Sequence, residues 1–203
     1  MSTHIDPIVD LDELVARIDQ VVAGGPLAVA MADLDGFLQL NETYGRDAGD
    51  RVLVAWRETL AGSLPDDAII GRLGADEFAV GLPGASSENA LILLDEIRSH
   101  LAEHPIEHAG TEVTVSATFG VASRPPHATD TAELFRCADE ALARGKAEGG
   151  GRVAIYVEEK MVLKSNYYSR ASLARLSKLA GRLNRTEASL LREALDDLFR
   201  KLR

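Results

Sequence analysis

The sequence predicts an α+β fold: one antiparallel-rich sheet flanked by helices, followed by a small strand–helix–helix segment. Three observations predict it. Helical and short apolar segments alternate irregularly, and two strand-like runs, residues 68–73 and 78–82, lie next to each other in mid-chain. A hairpin there is foreign to the strict strand–helix alternation of a doubly wound parallel sheet. Charge also changes sign late in the chain: residues 1–159 hold 28 acidic and 11 basic side chains, net −17, and residues 160–203 hold 4 and 11, net +7. Such a break marks a domain boundary, placed here at 158/159. Finally, 203 residues, 46% hydrophobic and 27% charged, suit one medium domain with a real core plus a small second one.

In chain order, Leu11, Leu14, Val15, Ile18, Val21 and Val22 recur at helical spacing over residues 10–22, and Gly24-Gly25 ends that helix. Residues 27–31 are a short buried strand running into Asp33-Leu34-Asp35. Residues 37–44 read as a short helix stopped by Gly45, and residues 50–60 as another, with Trp56 on its core face. The runs 68–73 and 78–82 form a hairpin with Gly74-Ala75-Asp76-Glu77 at its tip. Residues 86–104 are helical, and His100 and His104 are expected to be solvated at the end of that helix. Residues 112–122 are β-branched and alternating, hence a strand. Residues 130–147 form a helix that buries Cys137, and residues 152–157 a last strand. A single cysteine excludes an internal disulfide and any cysteine-rich metal site. No apolar run reaches the ~18 residues of a membrane span. The acidic start lacks the basic n-region of a signal peptide, so a cytoplasmic location without a membrane partner is expected.

Asp33 and Asp35 follow a strand, and Asp76 and Glu77 sit at a hairpin tip. If the strands are neighbours, the acids converge as Mg²⁺ requires, because that ion takes oxygen ligands and shares them with phosphates. Spacing alone leaves solvated turn acids as the alternative.

The residues carry a resemblance that bears on this choice. Asp33-Leu34-Asp35-Gly36-Phe37, with Asn41, Tyr44-Gly45 and Gly49-Asp50, comes first; Arg72-Leu73-Gly74-Ala75-Asp76-Glu77-Phe78 follows; then Ala138-Asp139-Glu140-Ala141-Leu142 with Lys146 and Gly149. These three segments resemble, in order and spacing, the signatures of GGDEF-type diguanylate cyclase domains, over about residues 25–157. The resemblance implies a GGDEF or palm-like sheet and the condensation of two GTP to cyclic di-GMP with loss of two pyrophosphates. It implies Mg²⁺ (or Mn²⁺) on Asp33, the Leu34 backbone and Asp76. Glu77 would activate a ribose 3′-hydroxyl or bind metal, and Asp33, Asp76 and Glu77 are thus the candidate catalytic residues. Asn41 and Asp50 would read guanine, since a carboxylate can accept from N1–H and N2–H₂, a donor pair that adenine lacks. Gly36 and Phe37 would cradle phosphates at a helix start, beside Gly74, and Lys146 would hold them as a point charge. One domain holds one GTP, so a homodimer or higher even oligomer is implied.

The chain departs from the family pattern at several positions. Ala75 replaces the second glycine of the signature, which is expected to crowd the nucleotide and weaken turnover. Leu38 replaces a usual lysine. Gly150 stands where an arginine often binds phosphate, with Arg152 as the nearby substitute. The R-x-x-D motif of product inhibition is replaced by Pro65-Asp66-Asp67-Ala68, so feedback through that site is not expected.

The basic segment places Leu173, Leu176, Leu179 and Ala180 on one helix, then a short loop, then a second helix capped by Thr186. About 40 residues of this kind are too few to fold alone. The pattern is read either as a solvated cationic helix or as a polyanion binder. It resembles ribbon-helix-helix DNA-binding modules, in which two chains pair their strands in the major groove. The implied DNA contacts are Lys164, Ser165 and Tyr167 on the strand, and Arg185, Thr186 and Glu187 near the phosphate. The partner would be double-stranded DNA with a two-fold site. The expected whole is a transcriptional regulator that responds to GTP or cyclic di-GMP. The alternative is an active cyclase whose C-terminal module only dimerises it.

Overall fold

The fold is taken from a computed structural model. It describes residues 8–21, 25–128, 130–158 and 168–183, together with positions 187, 190, 191, 194, 198, 199 and 201. The chain divides into two compact units, Met1–Glu158 and Glu159–Arg203.

In the first unit the elements run α1 (Leu11–Val21), β1 (Leu27–Leu34), α2 (Phe37–Tyr44), α3 (Arg46–Ser63), β2 (Ile69–Arg72), β3 (Glu77–Pro83), α4 (Ser87–Glu103), β4 (Ile106–His108), β5 (Thr111–Val113), β6 (Ala117–Arg124), α5 (Thr131–Ala147) and β7 (Val153–Ile155). Five strands form a sheet of order β2-β3-β1-β6-β7. All of its pairings are antiparallel except β6 with β7. β1 lies at the centre because its run of small and branched apolar residues can be buried on both faces. Its even-numbered residues, Ala28 to Leu34, face one core with Trp56 and Leu60 of α3 and Leu94 and Ile97 of α4. Leu27 and Val29 face the other, with Leu14 and Ile18 of α1 and Leu134, Cys137 and Ala138 of α5. The unit is therefore a mixed sheet between two helical layers.

Trp56 is fully buried, as its position on the apolar face of α3 predicts, and meets Phe78 and Phe119 edge-on at centroid distances of 6.4 and 5.6 Å. Cys137 is buried as expected, and His100 and His104 are exposed. Three helices are capped as their sequences suggest: Asp10, Ser86 and Asp130 accept from the backbone N–H three residues on. α5 lies unusually close to β6. A Cβ added to Gly120 would stand 2.1 Å from the Leu142 nitrogen and 2.2 Å from the Ala138 oxygen.

Two expectations are corrected. The helix read over residues 50–60 begins at Arg46, because Asp47 and Gly49 lie in its first turn rather than in a loop. The single strand read over residues 112–122 is broken. Its start pairs with β4 in a separate hairpin, turning at Ala109 (φ 49°) and Gly110 (φ 78°), and only Ala117 onward joins the main sheet.

In the second unit, α6 (Arg170–Leu183) begins at Ser169, whose Oγ accepts from the Ser172 N–H. The described positions from 187 to 201 are helical. The expected strand, with Lys164, Ser165 and Tyr167, lies outside the described residues, as do Arg185 and Thr186. Glu187 is helical and exposed. Among the described residues no helix is long and apolar enough to cross a membrane.

Candidate active site

The antiparallel register sets Asp33 of β1 directly opposite Glu77 of β3, one residue beyond Asp76. The acids from the two sequence stretches thus meet at one end of adjacent strands. The tip that carries Asp76 is a tight turn. Leu73 and Gly74 donate from their backbone N–H groups to the Glu77 carbonyl. The Arg72 guanidinium donates to the carbonyls of Gly74 and Ala75, each at 2.8 Å, which pins the turn. Ala75 does not have the positive φ that would demand glycine; among the described residues outside glycine, only Ala109 does. Its methyl therefore causes no backbone strain, and its expected effect narrows to contact with a ligand.

Asp33 is half-buried and ion-paired with Lys146, in the last turn of α5. Burial pushes the Asp33 carboxyl above its ordinary range. The hydrogen bond and charge of Lys146 oppose this, and the charges of Asp76 and Asp35 push it up again. Such a like-charge group calls for a cation. No set of three or more His, Cys, Asp or Glu side chains among the described residues could hold a metal by itself. Mg²⁺ at phosphate sites needs only one or two carboxylates, with phosphate and water completing the shell. Asp33 and Asp76 fit that demand.

Asp35 does something else. Spacing had grouped it with the converging acids, yet both its oxygens are taken by protein donors. Thr118 Oγ1 donates to Oδ1 at 2.6 Å; Ser116 Oγ and the Gly151 N–H donate to Oδ2, both at 2.8 Å. It is a structural acceptor rather than a free ligand.

Gly36 caps α2 in the left-handed region, φ 67°, and no side chain caps the first turn of the helix. Its N–H groups, beside half-buried Phe37, are open to an anion. The Leu34 side chain is buried in the core, which leaves its backbone as the group available to a ligand. Asn41 on α2 and Asp50 on α3 stand on a helical hairpin closed at Gly45. Asn41 lies against the backbone of α3: a Cβ on Gly49 would be 1.9 Å from its Oδ1. Asp50 is exposed. Arg152 turns back onto α5, donating to the Glu148 carboxylate at 2.7 Å and carbonyl at 2.9 Å. Sequence reasoning did not single out Ser116, Thr118, Gly151 or the Arg72 clip. The signal for the first two was a pair of hydroxyls at i and i+2 near a strand start, matching the spacing of Asp33 and Asp35.

A family model described as "Diguanylate cyclase, GGDEF domain" matches residues 10–152. The chain belongs to the GGDEF family. Among its relatives, a diguanylate cyclase of Vibrio cholerae is 33% identical over 131 residues, which is 64% of this chain and 40% of that protein. Diguanylate cyclase TpbB of Pseudomonas aeruginosa is 40% identical over 132 residues, 63% of this chain and 30% of that protein. The chain spans less than half the length of the curated relatives it matches. The solved active GGEEF domain of a Vibrio cholerae diguanylate cyclase superposes with a TM-score of 0.69 at 28% identity, covering 75% of this chain and all of that one. The GGDEF domain of TpbB gives 0.69 at 32%, covering 76% and 93%.

Proposed function

We propose that the GGDEF domain of this chain is a diguanylate cyclase, joining two GTP into cyclic di-GMP. The observation that carries this reading is the strand register that sets Asp33 opposite Glu77 and beside Asp76, with Lys146 against Asp33, in a chain of this family. In each half-reaction the 3′-oxygen of one GTP forms a bond to the α-phosphorus of the other. The bond to pyrophosphate breaks, and the 3′-hydroxyl proton passes to a base. Glu77, exposed at the strand end, is the residue for that proton. Lys146 and the uncapped first turn of α2 hold the phosphates, and Asn41 with Asp50 reads the guanine edge. A Mg²⁺ or Mn²⁺ held by Asp33, Asp76 and the Leu34 carbonyl would neutralise charge building on the α-phosphate. Arg152 stays with the phosphate group of candidates only by leaving Glu148. Two such domains must face each other, so the active species is a homodimer.

The test is direct. The full chain is incubated with GTP and Mg²⁺, and nucleotide products and pyrophosphate are quantified by chromatography and mass. One cyclic di-GMP for every two pyrophosphates is expected. GTP retained without product would make the domain a nucleotide-binding module.

For the C-terminal unit, α6 leaves Leu173 and Leu179 exposed beside Arg170, Arg175, Lys178 and Arg182. The apolar stripe supports pairing of two chains. The basic side chains favour a second reading, the ribbon-helix-helix module on duplex DNA, with nucleotide state biasing the complex through shared dimer geometry. A duplex titration at rising salt tests it: a steep fall in affinity and a two-fold footprint are expected of real phosphate contacts, and no binding at low salt leaves dimerisation alone.

A further inference from the structure

The bonds around Asp35 form a closed circuit. One residue, Leu34, separates Asp35 from Asp33. Asp35 accepts from the Gly151 N–H at 2.8 Å, the four residues Ala147 to Gly150 join Gly151 to Lys146, and Lys146 pairs with Asp33. Thr118 stands in the middle. Its hydroxyl donates to Asp35 Oδ1 at 2.6 Å and accepts from the same Gly151 N–H at 3.0 Å, and its methyl meets the end of α5, 3.0 Å from where a Cβ on Gly145 would be. A side chain at Gly150 would be strained, at φ +70°, and would displace the carboxylate, since its Cβ would lie 2.9 Å from Asp35 Oδ1. The run Gly149-Gly150-Gly151, all of positive φ, lets the backbone fold down onto the carboxylate. The glycine at 150, where the family often has an arginine, thus has a reason in this chain.

We propose that Asp35 is a positioning residue of the nucleotide site: through Gly151 and Thr118 it fixes the end of α5, and so sets where the Lys146 ammonium stands relative to the Asp33 segment. The proposal rests on the triphosphate reading of the site. A carboxylate that accepts three donors at a strand end is a stiff link, because charge-assisted hydrogen bonds are short and strong. Lys146 has a long, flexible stem, and its aim depends on where its helix ends. Fixing that end lowers the ordering cost of gripping a phosphate. Asp35 touches neither nucleotide nor metal in this scheme.

The experiment is a double-mutant cycle on the full chain, read by calorimetric titration of 3′-deoxy-GTP with Mg²⁺, a probe that binds but cannot condense. Asp35→Ala is expected to weaken binding by about tenfold to a hundredfold, the scale of a lost hydrogen bond to a charged group. In a Lys146→Met background the same change should cost threefold or less. In an Asp50→Ala background it should cost the full amount, and the ratio of 3′-deoxy-GTP to 3′-deoxy-ATP affinity should stay fixed. Asp35→Asn, whose amide oxygen can still accept from Gly151, should regain most of the affinity. Equal losses in the wild-type and Lys146→Met backgrounds, or no loss at all, overturn the proposal. If Asp35→Ala does not fold, Thr118→Val enters the same cycle with the same criteria, since it removes the bridging hydroxyl and leaves the carboxylate. Failure of the unaltered chain to bind the probe would sink the triphosphate reading instead, which keeps the two failures apart.

Discussion

Asp33, Asp35 and Asp76 at the strand ends and Lys146 at the end of α5 are half-buried, and all but Asp76 are tied into hydrogen bonds or an ion pair. On the α2–α3 hairpin, by contrast, Asp50 is exposed and α2 buries none of its residues. One half of the proposed nucleotide site is thus set in the frame of the sheet, and the other is carried on α2 and the exposed face of α3, a helix whose opposite face is buried in the core. The difference matches what each half has to hold. Phosphates and a divalent ion carry large charges, which reward dipoles and cations fixed in advance. A base carries no net charge, water competes for its hydrogen bonds, and it tolerates a softer mount.

The largest effect should come from breaking the rigid half. Asp76→Asn removes a charge from the proposed cation site, and Mg²⁺-dependent GTP binding and product formation should both fall by about a hundredfold or more, since metal stabilisation is worth several kcal/mol and 1.4 kcal/mol is tenfold. Titration and product assay check it, and unchanged affinity would remove Asp76 from the metal site. Next comes Lys146→Met. Triphosphate affinity should drop about tenfold or more. Mn²⁺ binding without nucleotide, followed by electron spin resonance, should tighten, because Asp33 loses the ammonium that competes for it. These opposite signs follow from the ion pair; a weaker Mn²⁺ affinity would show that Lys146 does not compete there.

The two halves also differ in how much of each is legible in the sequence. The Arg72–Glu77 turn could be read directly, because two apolar runs flank a polar tetrapeptide that contains glycine. The partnership of β1 with β3 needed only that the hairpin lie beside the preceding strand. The Asp35 circuit could not be read: its partners lie 81, 83 and 116 residues away, and one of them is a backbone N–H, which leaves no mark in sequence. The start of α3 was obscured because Gly49 looks like a loop residue. It is glycine for a tertiary reason, the contact with Asn41. The β4–β5 hairpin hid behind Ala109, which takes a left-handed conformation normally signalled by Asn, Asp or Gly.

On the softer half, Asp50→Ala should reduce the preference for GTP over ATP by about tenfold, the loss of one or two hydrogen bonds to a charged acceptor near solvent. Gly49→Ala should act on the same preference by another route, pushing the Asn41 amide aside while α3 stays in place. A matched change in the frame behaves otherwise. Gly120→Ala puts a methyl against the backbone of α5, which cannot yield as a side chain can, and should cost about 1–3 kcal/mol or more of stability. Thermal unfolding separates them: a clear fall in Tm for Gly120→Ala, little change for Gly49→Ala. Equal falls would mean that the α2–α3 hairpin is as rigidly mounted as the sheet.

The smallest effect belongs to Ala75, at the tip of the β2–β3 turn. Its backbone lacks the positive φ that glycine would relieve, so Ala75→Gly releases no strain. It should lower stability by about 0.4–1 kcal/mol, because glycine adds freedom to the unfolded chain. Any gain must come from space at the ligand. If the methyl presses on bound nucleotide, kcat rises a few-fold while Tm falls slightly, and the turn is limiting for turnover. If kcat is unchanged, the Arg72 clip on the Gly74 and Ala75 carbonyls already holds the tip clear of the nucleotide, and control of turnover lies with the acids and Lys146 rather than with the altered signature residue.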